Sequence, residues 1–439
     1  MRHIKQSPTA YFTYPAHHVD RFSHCLGTME LTGKVVNVIL TKSRNEELED
    51  FLKECGSCFS VVLKTPPEIQ PEIAAILFLQ VARLSGLLHD IGHLPFSHLG
   101  EGAVEPFEDQ LYATDTDWLP FKDGVLGKRP SLHEFATLKL LMEDSEIRRV
   151  FEENLVSGLD LRPLCVQVFK PECKGVFRTI QDLISNDVDV DRADYLLRDG
   201  RTSGVDYGQY DILRLVEAMR LYRDEKNFII RPTIMALSVV EKFLLERYLL
   251  YKWLYFHNYV VLTDTSLVEV LRILIKHANE SNHPFFGTLP LRKFHFSKYV
   301  YNGIPFDDIE VWNSLRLAYL KSKEPAAKER EEVRVANALL RILLHREKLA
   351  KALWKNLPAY ANFDIKLREV LFSPEESKQK EVPEEPILNI YAKLHIHSRT
   401  KPGFETKLQD VLKSKESFPL VTERTDFVPF KTEHKASMH

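Results

Sequence analysis

The stretch GLLHDIGHLPFSHLGE, residues 86–101, places three histidines, one aspartate and one glutamate within sixteen positions. The apolar run LSGLL, residues 84–88, leads directly into it, which predicts that His89 and Asp90 lie at the inner end of a buried helix. Burying an adjacent imidazole and carboxylate costs several kcal/mol unless the groups are hydrogen-bonded, paired or bound to a metal. We therefore interpret this pair as part of a metal site whose other ligands lie elsewhere in the chain.

The spacing within this stretch limits what it can bind alone. Neighbouring residues on a helix point about 100° apart, so the pair can hold only one side of an ion. His93 follows His89 by four positions, on the same helical face, before Pro95 stops the helix. His98 and Glu101 are three positions apart and can face one cavity if their segment is helical. An imidazole positioned by a carboxylate is suited to general acid–base catalysis.

Two other stretches offer the missing ligands. RFSHCLGTMEL, residues 21–31, contains His24. Taken alone, this histidine would be interpreted as a packed side chain. Because the His89–Asp90 pair is an incomplete site, His24 becomes a candidate ligand. NDVDVDRADYLLRDGRTSG, residues 186–204, crowds four aspartates into eight positions, whereas a helix N-terminus accounts for only one or two. Arginines and a tyrosine lie between and after these aspartates, a mixture suited to phosphate and sugar recognition. The polar residues of this stretch are Asp187, Asp189, Asp191, Arg192, Asp194, Tyr195, Arg198, Asp199 and Arg201.

Composition narrows the class of protein. The chain has 439 residues, 44% hydrophobic and 28% charged, which is typical of a soluble globular protein with one large or two unequal domains. The net charge of −3 argues against nonspecific nucleic-acid binding as the main activity, although a locally basic pocket stays compatible with a nucleic-acid partner. Five cysteines make no disulfide framework in a chain of this length, and we see no secretory signal or membrane span. We expect a cytoplasmic protein without a membrane partner.

Helical periodicity and helix-forming residues predict a mainly α protein. The predicted helices are 72–91, 131–150, 209–223, 236–277 and 325–356, and the predicted strands are 227–232 and 387–397. The Pro-, Glu- and Lys-rich segment 373–386 predicts a linker or mobile loop. The residues after it, 387–439, predict a small α+β appendage and tail.

The motifs HIKQ, RFSHCLG, LLHDIGHLPFSH, HE at 133–134 and DVDRADYLLRD occur in this order along the chain. Together they resemble the H…HD…D signature of the HD-domain phosphohydrolases, in the branch of deoxynucleoside triphosphate triphosphohydrolases. The resemblance covers residues 1–260, and it implies an HD-domain helical bundle followed by a helical extension at 261–372.

The resemblance also implies roles for individual residues. The implied metal ligands are His24, His89, Asp90 and Asp191. The implied catalytic residues are His98 and its partner Glu101, with His93 and His133 around the phosphates. The implied substrate contacts are Gln6, Arg21, Arg192, Tyr195, Asp199 and Tyr255. Tyr255 is the weakest match, because Phe256 stands where the better-known member of the branch has a glutamine.

The implied reaction is hydrolysis of a deoxynucleoside triphosphate by metal-activated water at the α-phosphorus, which releases the deoxynucleoside and triphosphate. A site with two histidines and two aspartates lacks thiolates and suits Mn²⁺, Fe²⁺, Mg²⁺, Co²⁺ or Zn²⁺ without choosing among them. His98 would handle the proton, while Asp199 and Tyr195 would disfavour a 2′-hydroxyl. The family usually forms homo-oligomers, so we expect a dimer or tetramer. Because the sequence begins close to HIKQ, we expect activity without a nucleotide activator.

Two alternatives to this reaction stay open. In the first, the site hydrolyses another phosphoester, such as a cyclic nucleotide or an oligonucleotide bond. In the second, the chain is a binding or assembly protein with a vestigial site. Every implied ligand and catalytic residue is present, which favours an enzyme.

Overall fold

The computed structural model of the protein describes residues 1–65, 68–123, 131–224, 227–278, 285, 287–301, 304–324 and 330–347. It confirms a mainly helical architecture. In chain order the helices are α1 (Arg21–Lys42), α2 (Asn45–Leu63), α3 (Pro71–Leu88), α4 (Ser97–Val104), α5 (Glu108–Leu111), α6 (Trp118–Asp123), α7 (Leu132–Glu143), α8 (Ser145–Glu153), α9 (Arg162–Phe169), α10 (Gly175–Ile184), α11 (Val190–Ser203), α12 (Ile212–Glu217), α13 (Leu237–Leu250), α14 (Asn258–Lys276), α15 (Asp308–Lys321) and α16 (Glu331–His345). The strands are β1 (Met219–Asp224), β2 (Asn227–Pro232), β3 (Val300–Tyr301) and β4 (Ile304–Pro305).

Two buried apolar clusters form the core. One joins α1, α2, α3, α9, α10 and α11 with the β1–β2 hairpin and α13. The other joins α4, α7, α14, α15 and α16. The chain crosses from the first cluster to the second between Leu88, the last residue of α3, and Phe96. The histidine-rich stretch is therefore the connection between two packed bodies of helices.

Helix α3 combines high apolarity with a central position. By length and composition it is the one helix of the described residues that could span a membrane. It packs against α1 and α2, and Leu77, Phe78 and Val81 on it are fully buried. These are the contacts of a core helix, and burial of its apolar face stabilises the end that carries His89.

The β1–β2 hairpin corrects one predicted element. Residues 209–223 were expected to be helical, but α12 ends at Glu217 and β1 pairs antiparallel with β2, with Leu221 opposite Ile230. The prediction was wrong because Met219 and Leu221 are buried in alternation with Arg220, a period-two pattern too short to stand out. The strand predicted at 227–232 is confirmed as β2.

Two longer predicted helices are each broken by a capping residue. The capping box of Ser131 and Glu134 starts α7 as predicted, but Asp144 ends that helix and caps α8 by accepting from the Ile147 amide at 2.8 Å. Residues 236–277 divide into α13 and α14 around a π-helical turn and His257, whose ring accepts from the Tyr259 amide. The linker at 373–386 and the module at 387–439 lie outside the described residues.

Candidate metal centre

The residues predicted as metal ligands come from three separate parts of the chain. His24 lies in the first turn of α1, His89 directly follows α3, and Asp191 lies in the first turn of α11. His24 Nε2 is 2.9 Å from Asp191 Oδ1, and His89 Nε2 is 3.8 Å from the same oxygen. The fold thus brings residues 167 positions apart in sequence to one point.

Asp90 completes this group from the other side. Its Oδ1 is 3.4 Å from His89 Nε2, and its Oδ2 is 3.7 Å from His24 Nε2. We call His24, His89, Asp90 and Asp191 the ligand cluster. Ligand atoms of His24, His89 and Asp191 lie within 4.8 Å of one another, close enough to hold a cation, and Asp90 lies beside them.

The hydrogen bonds behind the two imidazoles test whether a cation fits. His24 Nδ1 is 2.8 Å from Asp194 Oδ2, and His89 Nδ1 donates to the Gly86 carbonyl oxygen at 2.8 Å. Each ring is therefore held from its outer nitrogen, and each Nε2 is buried without a hydrogen bond. An outer acceptor on one nitrogen and a free lone pair on the other is the usual arrangement of a metal-bound histidine. The residues present fit a divalent cation.

The ionisation of the ligand cluster agrees with this. Burial opposes protonation of His24, but the neighbouring carboxylates of Asp191 and Asp194 outweigh burial and raise its pKa to about 10. Burial likewise opposes ionisation of Asp191, yet His24 and His89 hold its pKa well below the usual range. The carboxylates are ionised, and a cation would replace the proton that they hold on His24.

A second group of titratable side chains surrounds Glu101, on α4. Glu101 Oε1 is 2.8 Å from His93 Nδ1 and 2.9 Å from His133 Nδ1, and Oε2 is 3.5 Å from His98 Nδ1. We call these four residues the Glu101 cluster. One ligand atom from each lies within 4.8 Å of the others, so this set too could hold a cation.

The imidazoles of the Glu101 cluster differ in charge and exposure. His93 and His133 stack with ring centroids 4.0 Å apart. Burial and the nearby Arg21 lower the pKa of His93 to about 4, whereas Glu101 outweighs burial at His133 and raises its pKa to about 9. The side chain of His98 is 66% exposed. At neutral pH the cluster therefore presents one neutral ring, one cationic ring and one imidazole open to solvent.

The two clusters meet at one contact. His93 Nε2 is 3.3 Å from Asp90 Oδ1, and both ring nitrogens of His93 are buried without a hydrogen bond. The spacing of His89 and His93 predicted that both lie on one helix. In the structure His93 lies outside any helix. Helix α3 ends at Leu88, and a turn follows in which a Cβ at Gly92 would lie 2.2 Å from the His133 carbonyl oxygen. This close approach of the turn to α7 is what stacks the two rings.

Comparison with known proteins agrees with this geometry. No protein-family model matches the chain. The uncharacterized protein YwfO of Bacillus subtilis is 25% identical over 350 residues, which are 79% of this chain and 64% of YwfO. A putative HD domain-containing protein of Acanthamoeba polyphaga mimivirus is 24% identical over 274 residues, 62% of this chain and 52% of that protein.

Two further comparisons involve a named enzyme and a solved structure. The deoxynucleoside triphosphate triphosphohydrolase SAMHD1 of Mus musculus is 26% identical over 242 residues, 52% of this chain and 32% of SAMHD1. A phosphohydrolase from Bacteroides thetaiotaomicron superposes with a TM-score of 0.50 at 22% identity, covering 79% of this chain and 69% of that chain. The chain is therefore similar in sequence to a putative HD domain-containing protein and in fold to a solved phosphohydrolase. It spans less than two thirds of the length of each of the three sequence relatives described.

The candidate metal centre contains one residue to which the sequence assigned no role. Asp194 holds His24 from behind and also forms a two-point ion pair with Arg198, at 2.8 and 2.7 Å. A Cβ at Gly27 would lie 1.8 Å from Asp194 Oδ1, so only glycine on α1 leaves room for this carboxylate. The spacing of Asp191 and Asp194 by three positions, on one face of α11, was the signal that could have identified it.

Arg21 and Arg192, both predicted at the phosphates, are bound to acidic side chains of the chain itself. Arg21 is 3% exposed; its Nη1 donates to Asp90 Oδ2 at 2.5 Å, and its Nε donates to Ser97 Oγ at 2.9 Å. Arg192 donates to Asp189, the N-cap of α11, and to the Asn186 carbonyl oxygen. Their contact with phosphate stays a prediction.

The residues predicted as substrate contacts include two buried oxygens without donors. The Tyr255 hydroxyl donates to Asp199 Oδ2 at 2.5 Å, while Asp199 Oδ1 and Gln6 Oε1 are buried without a hydrogen bond. Burial, followed by the neighbouring Tyr251, raises the pKa of Tyr195 well above its usual range, so it is a neutral phenol. Buried acceptors without donors are costly, and a ligand hydroxyl would satisfy them.

Proposed function

We propose that this HD-domain protein is a metal-dependent phosphohydrolase that cleaves deoxynucleoside triphosphates into deoxynucleoside and triphosphate. The observation that carries the proposal is the contact between the two clusters, in which His93 lies 3.3 Å from the ligand Asp90. A cation site is thereby continuous with a set of acid–base and cationic groups. The sequence similarity to SAMHD1 supports the choice of substrate.

The ligand cluster would hold the cation through His24, His89, Asp90 and Asp191. When bound, the cation supplies Lewis acidity toward phosphate and lowers the pKa of water. His133, cationic at neutral pH, would neutralise phosphate oxygens from the neighbouring cluster.

Proton transfer falls to the exposed member of the Glu101 cluster. Attack at the α-phosphorus breaks its bond to the 5′-oxygen, and the leaving deoxynucleoside needs a proton there. His98 is open to solvent and has the Glu101 carboxylate 3.5 Å behind its Nδ1. A carboxylate behind one ring nitrogen stabilises the imidazolium that donates from the other.

The sugar would occupy the region of the free buried oxygens. Asp199 Oδ1 can accept from a 3′-hydroxyl, and a substrate that lacks this donor would leave it unsatisfied; Gln6 Oε1 is a second buried acceptor without a donor. We further propose discrimination against a 2′-hydroxyl by Asp199 and Tyr195. A dimeric or tetrameric, cytoplasmic enzyme is part of the same proposal.

The proposal is tested by incubating the protein, reconstituted separately with Mn²⁺, Fe²⁺, Mg²⁺, Co²⁺ or Zn²⁺, with each of the four dNTPs and four NTPs. We expect triphosphate and deoxynucleoside from dNTPs, and no products from His89→Ala. Release of a nucleoside monophosphate from a cyclic nucleotide or oligonucleotide, without triphosphate from any dNTP, would favour the diesterase alternative. Unchanged biological activity of His89→Ala would favour a binding role.

A further inference from the structure

Asp308, the first residue of α15, reaches two segments of the HD site although it lies outside every motif of the sequence. It is 4% exposed, and each of its carboxylate oxygens accepts a backbone hydrogen bond. Oδ2 accepts from the Lys5 amide at 2.9 Å, and Oδ1 accepts from the Phe96 amide at 2.7 Å. One side chain thus ties the N-terminal segment to the turn that precedes α4.

That turn has an unfavourable backbone. Phe96 has φ 63° and Ser97 has φ 53°, so two consecutive residues other than glycine adopt the left-handed region. Such conformations persist only where the surroundings hold them, and they are concentrated at functional sites. Besides the Asp308 bond, the buried Phe96 ring packs edge-on against Trp312, one turn further along α15, with ring centroids 5.4 Å apart. Both restraints on Phe96 come from the same helix.

The Phe96–Ser97 turn is connected to residues of both clusters. Helix α4 starts at Ser97, so the direction of the turn sets where His98 and Glu101 lie. The Ser97 hydroxyl donates to the Lys5 carbonyl oxygen at 2.6 Å and accepts from Arg21, whose other end pairs with Asp90. A continuous chain of hydrogen bonds therefore runs from Asp308 to a metal ligand.

We propose that Asp308 is a positioning residue that holds the Phe96–Ser97 turn and thereby orients the Glu101 cluster and Asp90. The proposal rests on the proposed function for the roles of His98 and Asp90. It makes α15 part of the machinery of the HD site, although the signature motifs end before it.

Asp307 provides a matched control. It is the N-cap of the same helix, is 5% exposed, and accepts from the Ile309 and Glu310 amides at 2.9 and 3.2 Å. Its carboxylate supports the helix end without a hydrogen bond to the turn among the described residues. Asp307→Ala and Asp308→Ala should both lower the melting temperature, but only the second should disturb the site.

The experiment compares wild type, Asp307→Ala, Asp308→Ala and Asp308→Asn, the last of which keeps one acceptor and covers the case in which the alanine variant does not fold. We expect kcat for dNTP hydrolysis to fall about 10–100-fold in Asp308→Ala and less in Asp308→Asn, with KM changed by less than about twofold. Asp307→Ala should keep kcat within about twofold. Equal losses of kcat in the two alanine variants, or unchanged kcat in Asp308→Ala, would overturn the proposal.

Hydrogen exchange separates this proposal from the choice of substrate. In every variant, exchange of the backbone amides in residues 94–101 is measured by mass spectrometry, which needs no activity. We expect faster exchange there in both Asp308 variants and wild-type rates in Asp307→Ala. Faster exchange in a protein that cleaves no dNTP would leave the positioning role standing and remove the proposed function. Wild-type rates in the Asp308 variants would remove the positioning role whatever the substrate.

Discussion

The ligand cluster and the Glu101 cluster contain the same types of side chain and touch one another, yet their imidazoles are turned in opposite directions. In the ligand cluster, His24 and His89 are held from outside at Nδ1, by Asp194 and by the Gly86 carbonyl, and their Nε2 atoms converge. In the Glu101 cluster, His93 and His133 direct Nδ1 inward at the carboxylate. The first arrangement directs both Nε2 atoms at one point, where a cation can bind, whereas the second holds a proton on His133 against Glu101.

The difference teaches that the partner of the outer nitrogen decides what a histidine does. An acceptor outside the cluster leaves the inner nitrogen free to bind a metal. The Glu101 carboxylate inside the cluster keeps the His133 ring protonated, which suits proton transfer and phosphate binding. Metal content and turnover measured side by side can therefore separate the two clusters.

Removing a ligand should have the largest effect. Asp191→Ala takes away the oxygen that lies 2.9 Å from His24 Nε2 and 3.8 Å from His89 Nε2, and we expect loss of bound metal and a fall in activity of at least about a thousandfold. Metal is measured by inductively coupled plasma mass spectrometry, and activity by product release. A variant that kept a full equivalent of metal would contradict the assignment of Asp191 as a ligand.

Removing the exposed histidine should affect turnover alone. His98→Gln should lower kcat about 10²–10⁴-fold while one metal ion per chain is retained. Loss of both metal and activity in Asp191→Ala, against loss of activity alone in His98→Gln, would show that the two clusters have different roles. If wild type bound two ions per chain and His98→Gln bound one, the Glu101 cluster would be a second metal site rather than a set of acid–base groups.

Weakening the outer acceptor should have an intermediate effect on metal binding. Asp194→Asn keeps the shape of the side chain but removes the charge that faces His24 Nδ1, so we expect metal affinity to fall about 10–100-fold. Titration with the reconstituting metal, followed calorimetrically, measures the change. Arg198→Gln is the control, because it removes the other partner of Asp194 and leaves the carboxylate charged. A similar loss in that variant would show that position matters and charge does not.

Much of this site could be predicted from the sequence because its key residues are adjacent pairs or lie in multi-residue motifs. His89 and Asp90 follow an apolar run that demands burial, and the physical cost of burying them points to a cation. His24 became a candidate only beside the incomplete His89–Asp90 pair and the family resemblance, since a single histidine on a helix is ordinary. The helical architecture followed from periodicity, which a long amphipathic segment expresses many times over.

The features that could not be predicted from the sequence depend on contacts between residues that are distant along the chain. In the sequence, Asp194 is one more member of an acidic run. Its contact with His24 depends on the space that Gly27 leaves on α1. His93 seemed to belong to the helix of His89, but that helix ends at Leu88 and packing against α7 decides where the turn goes. Asp308 has no motif, because its function is to accept two backbone amides that are 91 positions apart in sequence. No local pattern encodes such contacts.

The smallest effect concerns stability and distinguishes the two stacked rings of the Glu101 cluster. Glu101 raises the pKa of His133 to about 9, above its unfolded value of about 6.5, so the protonated form is stabilised by folding. This contribution to the free energy of unfolding, on the order of a few kcal/mol, is fully present below pH 6.5 and is lost as the pH rises through 9.

The free energy of unfolding, measured by urea denaturation between pH 6 and 9.5, should therefore decline in wild type. The decline should be smaller in His133→Gln, which cannot be protonated. His93→Gln is the control, because the pKa of His93 is lowered to about 4 and this ring is neutral across the whole range. This variant should keep the wild-type dependence of the unfolding free energy on pH. An equally reduced dependence in both variants would mean that the two rings share one proton.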